Sequence, residues 1–270
     1  MRPSIIKHRL PNGLEVECHN AAEADTIYRE IFVEQQYLRF GITLRPGMSV
    51  IDGGAHVGLF ALFAAPRVYP GPILAVEPSP MQCSVLRRNL QGVDNVTICE
   101  AGLAGRNGRA QFRNYLKLPA MSGVVDFIDE ASDRVFAARS IIEKMASDAG
   151  VSETHPDDID FITDMSLEWE LEDVSIVPLN DLMNECAWGK VDLLKLDIQG
   201  AELAVLSGLR EVHWAKILQI AGEIHDRPVG NASQRDLIVD MLERNGFRVN
   251  VDQSEAFAGT SRYYLAAVRR

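Results

Sequence analysis

Two groups of residues in this chain have the types and spacing that do chemistry. The first is Asp52-Gly53-Gly54-Ala55-His56-Val57-Gly58, followed downstream by Glu77. Glycines in a turn that leaves a strand and opens a helix let a ligand approach the backbone closely. Read as a dinucleotide fingerprint, the segment is Gly53-x-Ala55-x-x-Gly58, with alanine where the middle glycine belongs and a pyrophosphate at the helix N-terminus. Read as the cradle of a sulfonium nucleoside, it gives Asp52 a role, since its carboxylate takes up, directly or through water, the ammonium of a methionine moiety. Glu77 suits both readings, because an acid there accepts both ribose hydroxyls. The plain alternative is that Asp52 and Glu77 only cap the helices that follow them, which explains either acid alone better than the pair.

The second group is Asp197, Glu223 and His225. Glu223 and His225 are two apart, hence on one face of an extended strand. Ligands of open α/β sheets bind beyond the carboxyl ends of the strands, so the three are expected to converge there. Histidine titrates near neutrality, which puts His225 forward as general base, with Asp197 or Glu223 orienting it. The plain readings are a strand-end histidine held by a hydrogen bond and an aspartate capping the next helix. No metal is expected; an oxygen-only cluster of Asp197, Glu223 and Asp226 is the arrangement that would bind Mg²⁺.

Elements that could position these groups are legible. Residues 49–52 form a short apolar run before the glycine turn, and residues 56–65 an apolar helix that stops before Pro66. Residues 73–77 read as the next strand, with Ser79 as N-cap and Pro80 at the first helical position, and residues 96–100 as a third strand. Asn107-Gly108 signals a tight hairpin leading into a strand at 110–115. Residues 116–173 then interrupt the alternation as a loop-rich insertion, with a helix around 139–149 and a run dense in Asp and Glu. No Lys or Arg occurs between Lys144 and Lys190. We read the insertion as a lid rather than a solvated flap, suited to a basic or amine-bearing acceptor. Strands at 191–197 and 217–225 and helices at 201–208 and 233–245 restore the pattern. Residues 247–252 and 263–268 have no helix between them and should pair antiparallel. A parallel sheet finished by such a hairpin is not the sheet of a dinucleotide dehydrogenase. Tyr28, Phe32, Tyr37 and Phe40 are spaced to share one face of an N-terminal helix; the plain reading is that they pack that helix onto the sheet, the sharper one that Tyr37 also closes the cofactor pocket.

With residues 52–58, Val76-Glu77-Pro78-Ser79-Pro80 and the run Lys195-Leu196-Asp197-Ile198-Gln199-Gly200-Ala201-Glu202, the sequence resembles the FkbM family of methyltransferases nearly end to end. The branch from polyketide and nonribosomal peptide clusters also has equivalents of Tyr28-Arg29-Glu30-Ile31-Phe32, Met121-Ser122-Gly123 and Glu223-Ile224-His225-Asp226. Usual residues differ at His56, commonly Asn, and Gln199, often Glu. The resemblance implies a Rossmann-like class I methyltransferase sheet at 46–270, preceded by a strand and helix cap at 1–45. It implies S-adenosylmethionine as cofactor and O-methylation of a hydroxyl, or of a carboxyl, on a small-molecule or carrier-bound secondary metabolite. Cofactor contacts are then expected from Tyr37, Asp52, Gly53, Gly54, Ala55, Gly58, Glu77, Pro78, Ser79, Ala101, Gly102 and Asp197, and acceptor contacts from Met121, Ser122 and Tyr28. The rivals are an NAD-dependent oxidoreductase and a non-catalytic docking domain of an assembly line.

Composition narrows the partners. A net charge of −11 over 270 residues argues against a nucleic-acid substrate, whose phosphates call for clustered Lys and Arg. No apolar run is long enough to span a bilayer, and no apolar stretch follows the basic residues near the N-terminus, so a cytoplasmic location is expected. Cys18, Cys83, Cys99 and Cys186 are too dispersed for a metal site and read as reduced thiols. Self-association into a homodimer is left open.

Overall fold

The computed structural model describes residues 3–127, 131–148, 150–151, 155–253 and 260–270. An antiparallel pair, β1 (Ile6–Arg9) and β2 (Glu15–Cys18), leads into helix α1 (Ala21–Tyr28), capped by the Asn20 side chain, which accepts from the Glu23 N–H. After Tyr28 the helix widens into a π turn over Arg29–Val33 and breaks at Gln35, which adopts a left-handed conformation. The four aromatics expected on one helix face are therefore divided. Tyr28 stacks on Phe32 at 5.0 Å and Tyr37 meets Phe60 edge-on at 5.5 Å, whereas Phe40 is exposed.

The α/β unit follows as β3 (Val50–Gly53), α2 (Leu59–Val68), β4 (Ile73–Val76), α3 (Pro80–Asn89) and β5 (Val96–Cys99). Every residue of β3 and β4 is buried, as in parallel strands covered on both faces. Helix α2 starts later than the sequence suggests, because His56 is left-handed (φ 53°) and Gly58 (φ 92°) is the cap; it also continues through Pro66 in its last turn.

The chain then leaves the main sheet. Strands β6 (Gly102–Ala104), β7 (Gly108–Tyr115) and β8 (Gly123–Val124), helices α4 (Ala131–Asp148) and α5 (Pro156–Ser166), and strand β9 (Trp169–Pro178) build a side layer of order β6-β9-β7-β8. The Asn107-Gly108 turn makes no hairpin, since β9 lies between β6 and β7, with Ile176 opposite both Gly102 and Gly108. The stretch expected to be loop-rich thus holds two helices and a strand of ten residues. Ala149, at the end of the expected helix, lies outside the described residues.

Helix α6 (Leu179–Glu185), β10 (Leu193–Leu196), α7 (Glu202–Ser207), α8 (Glu211–Trp214) and β11 (Gln219–His225) resume the alternation. A minimal pair, β12 (Pro228–Val229) and β13 (Ala232–Ser233), precedes α9 (Gln234–Arg244), β14 (Phe247–Asp252) and β15 (Arg262–Arg269). The main sheet has the order β14-β15-β11-β10-β3-β4-β5, with β15 antiparallel to both β11 and β14. This is the expected α/β architecture, a mostly parallel sheet closed by an antiparallel pair. Strand order reverses between β3 and β10, the switch point where a crevice opens beyond the strand ends. Among the described residues no helix is long and apolar enough to cross a membrane.

Candidate active site

A cavity of about 1240 Å³, counting its open mouth, lies over the carboxyl ends of β3, β4, β10 and β11. The glycine turn and the start of the next crossover contribute to its wall. Of the residues expected to hold a cofactor, Tyr37, Gly54, Ala55, Glu77, Pro78, Gly102 and Asp197 line it, while Asp52, Gly53, Gly58, Ser79 and Ala101 stand behind the wall. The Glu77 carboxylate is fixed by two backbone donors, His56 N–H to Oε2 and Ser79 N–H to Oε1, both at 2.9 Å. Burial pushes this carboxyl up to about 7. Each oxygen keeps a further lone pair for a ligand hydroxyl. The Ser79 hydroxyl instead caps α3 and donates to Asn114.

Beneath the turn lies a charge that the spacing of the acids does not reveal. Lys195, in the buried run of β10, is 3% exposed; its Nζ is 3.1 Å from Asp52 Oδ1 and donates to the carbonyls of Gly54 (2.7 Å) and Gly53 (3.2 Å). Burial opposes its charge, but Asp52 and then Asp197 raise its pKa above the usual lysine value. The ammonium that Asp52 was expected to take from a ligand is therefore supplied by the chain itself, and it is Lys195 that lines the cavity. A lysine inside an otherwise apolar strand was the available signal.

His56, at the unusual position of the turn, also lines the cavity. Its ring nitrogens have no hydrogen-bond partner among the described residues, and the nearest carboxylate, Glu23 Oε2, is 3.7 Å from Nε2. Burial depresses its pKa to about 3 and raises that of Glu23 to about 8.

Asp197 and Glu223 line the cavity together, with Arg262 among the lining residues. Asp197 Oδ2 accepts from the Tyr37 hydroxyl at 2.8 Å and Oδ1 from Gln199 Nε2 at 3.4 Å. Burial alone would raise the Asp197 pKa; Lys195, His225 and the Tyr37 hydroxyl more than offset it and hold the carboxyl below its ordinary value. Glu223 behaves oppositely, pushed up to about 8 by burial and by Asp197. The expected convergence is present, but not the expected pairing of the histidine. His225 is 1% exposed and sits behind the wall; its Nδ1 is 3.0 Å from Glu202 Oε1 and its Nε2 3.9 Å from Glu223 Oε2. Burial opposes a charge on the ring, yet Glu202 raises its pKa. Among the described residues Asp226 does not join the group that converges, and its Oδ1 accepts the Arg235 N–H at 3.0 Å.

The insertion and the N-terminal helix with its π turn, through Glu23, Thr26, Ile27, Glu30 and Ile31, supply further wall. Ile141 and Met145 of α4 line the cavity, and Lys144 pairs with Glu30, on the π turn, at 3.1 Å. The acids of α5, Asp157, Asp158, Asp160 and Asp164, face solvent, and among the described residues no acid of the insertion lines the cavity. Of the residues expected on the acceptor side, Ser122 lines the cavity, Met121 is buried in the core under α4, and Tyr28 packs on Phe32.

A family model described as the methyltransferase FkbM domain matches residues 52–249. The AMB antimetabolite synthetase AmbE of Pseudomonas aeruginosa is 34% identical over 272 residues; the match covers 98% of this chain and 12% of AmbE. The 31-O-demethyl-FK506 methyltransferase FkbM of Streptomyces tacrolimicus is 34% identical over 266 residues, covering 97% of this chain and 96% of that protein. Among solved structures, methyltransferase FkbM from Methylobacillus flagellatus aligns at TM-score 0.48 and 14% identity over 85% of this chain and 46% of its own, a likeness of fold alone. The matched segment takes in the glycine turn, Glu77, Lys195, Asp197 and Glu223, and the chain belongs to the FkbM family of S-adenosylmethionine-dependent methyltransferases.

Proposed function

We propose that the protein methylates a hydroxyl of a small-molecule or carrier-bound secondary metabolite, using S-adenosylmethionine. The observation that carries this reading is the pairing of two unlike carboxylates, Asp197 and Glu223, on the wall of the same cavity that Glu77 and the glycine turn line. The residues present fit the cofactor: Glu77 has free lone pairs for ribose hydroxyls, and His56 offers two unpartnered ring nitrogens. When bound, the cofactor supplies an activated methyl group. What remains for the chain is to orient the acceptor oxygen and take its proton. Glu223, poised at about 8, is better matched to that proton than Asp197, and better placed than His225, which is not among the residues lining the cavity. Asp197, held ionised and clamped by Tyr37, orients the acceptor. The relatives support the class of acceptor, since one is named as a 31-O-demethyl-FK506 methyltransferase and another as an antimetabolite synthetase.

Calorimetry with S-adenosylhomocysteine and with NAD, followed by assays with radiolabelled cofactor on hydroxyl- and carboxyl-bearing acceptors, tests the proposal. Binding of S-adenosylhomocysteine alone and an alkali-stable methyl ether as product are expected. An alkali-labile methyl ester would move the reaction to a carboxyl. Binding without transfer to any acceptor tried would favour a docking role.

A further inference from the structure

His225 is a buried imidazole with one nitrogen engaged and one not. Nδ1 meets Glu202 Oε1 at 3.0 Å, and Nε2 has no hydrogen-bond partner among the described residues although His225 is 1% exposed. Glu202 is itself fixed, because Oε1 also accepts the Ile198 and Gly200 N–H groups and Oε2 accepts from Gln234 Nε2. A carboxylate locked to one ring nitrogen while the other points at further carboxylates is how metal-binding histidines are held. The free nitrogen here points at Asp197 and Glu223: one ligand-type atom of each of the three residues lies within 4.8 Å of the other two.

We infer that Asp197, Glu223 and His225 form a binding site for a divalent first-row metal ion, with Glu202 fixing the imidazole from behind. One imidazole nitrogen and two carboxylate oxygens make a mixed donor set. It suits Mn²⁺, Fe²⁺ or Zn²⁺ better than Mg²⁺ or Ca²⁺, which take oxygen shells. Three protein ligands leave open positions, and Asp197 and Glu223 reach the cavity wall where His225 does not. In a use that rests on the methyltransferase reading, an open position takes the acceptor hydroxyl and makes it more acidic, and its proton passes to a carboxylate oxygen that does not touch the ion.

The test titrates chelator-treated full-length protein with Mn²⁺ followed by electron paramagnetic resonance, and with Zn²⁺ by calorimetry, with S-adenosylhomocysteine titrated in parallel. One saturable site per chain is expected. It should be lost in E223Q and H225Q and weakened roughly 10–100-fold in E202Q, while all three variants still bind S-adenosylhomocysteine. Wild-type protein that binds S-adenosylhomocysteine but neither ion saturably overturns the site, as does ion binding unchanged in both E223Q and H225Q. Failure of the nucleoside to bind wild-type protein would remove the methyltransferase reading and leave the ion titration to decide the site on its own.

Discussion

Lys195 and Asp52 form an ion pair with 3% and 0% residue exposure, and the same ammonium holds the carbonyls of Gly53 and Gly54 in place. The lysine also packs near the faces of Tyr37 and Phe60, 5.5 and 5.9 Å from the ring centroids. Removing one partner of such a pair leaves a buried charge uncompensated, at a cost of about 3–5 kcal/mol. Lys195→Met should lose that much in denaturant unfolding, and adding Asp52→Asn should recover a large part of it. A double variant as unstable as the sum of the singles would show that the pair is not coupled. Sequence shows the acids of the site because their spacing after strands and glycines is diagnostic. It does not show their partners. Lys195 stands one residue from Leu196 and two from Asp197, yet the register of β10 on β3 sets it opposite Asp52, which only the folded sheet determines. Likewise spacing suggests Asp197 or Glu223 as the orienter of His225, whereas the first turn of α7 brings up Glu202.

At the level of elements, the cavity depends on how tightly the turn after β3 and the strand β11 press against β10. A Cβ on Gly54 (φ 75°) would fall inside van der Waals contact of the Asp197 carbonyl, and one on Gly222 inside that of the Leu196 carbonyl. Gly92 (φ 82°), in contrast, has open space around it. Gly92→Ala should therefore cost only the roughly 1–2 kcal/mol of a left-handed alanine, while Gly54→Ala and Gly222→Ala should cost more, by forcing backbone apart. Equal losses in the three variants, measured by urea unfolding, would contradict this packing. The turn glycines, which sequence suggests as room for a ligand, thus serve first to bring Asp197 close. The parallel strands are legible because burial on both faces leaves continuous apolar runs. The side layer is not, because β9 points Glu170 and Glu172 inward, where Glu172 accepts from Asn114 at 2.7 Å, and so shows alternating hydrophobicity only near Val174 and Ile176. Helix α5 has its signals, Pro156 at the first turn after His155 with Asp157 and Asp158 following, but they lie inside an acidic run that reads as loop.

For the molecule as a whole, a net charge of −11 divides into acids that face water and acids folded into the cavity. Burial is the largest cause that raises Glu23 and Glu223 to about 8 and Glu77 to about 7. Between pH 6 and 8 the unfolded chain has lost these protons, its carboxyls titrating near 4.3, while the folded chain still holds a share of them. The unfolded state then binds fewer protons than the folded one, so stability falls as pH rises through this window. Stabilisation from these groups is complete below the ordinary carboxyl range and is lost toward pH 8. The raised pKa of His225 acts in the same direction, and the lowered one of Asp197 matters only at acid pH. Each group that keeps its proton contributes at most about 1.4 kcal/mol per pH unit. Allowing for relaxation around buried carboxyls, we expect a total loss of about 2 kcal/mol from pH 6 to 8, a fall in Tm of roughly 4–8 °C for a domain of this size. Calorimetric scans of ligand-free, metal-free protein across that range check it. The slope should be shallower in Glu223→Gln, which has no proton to lose, and a Tm that stays level or rises toward pH 8 would mean that the cavity carboxyls are ionised throughout.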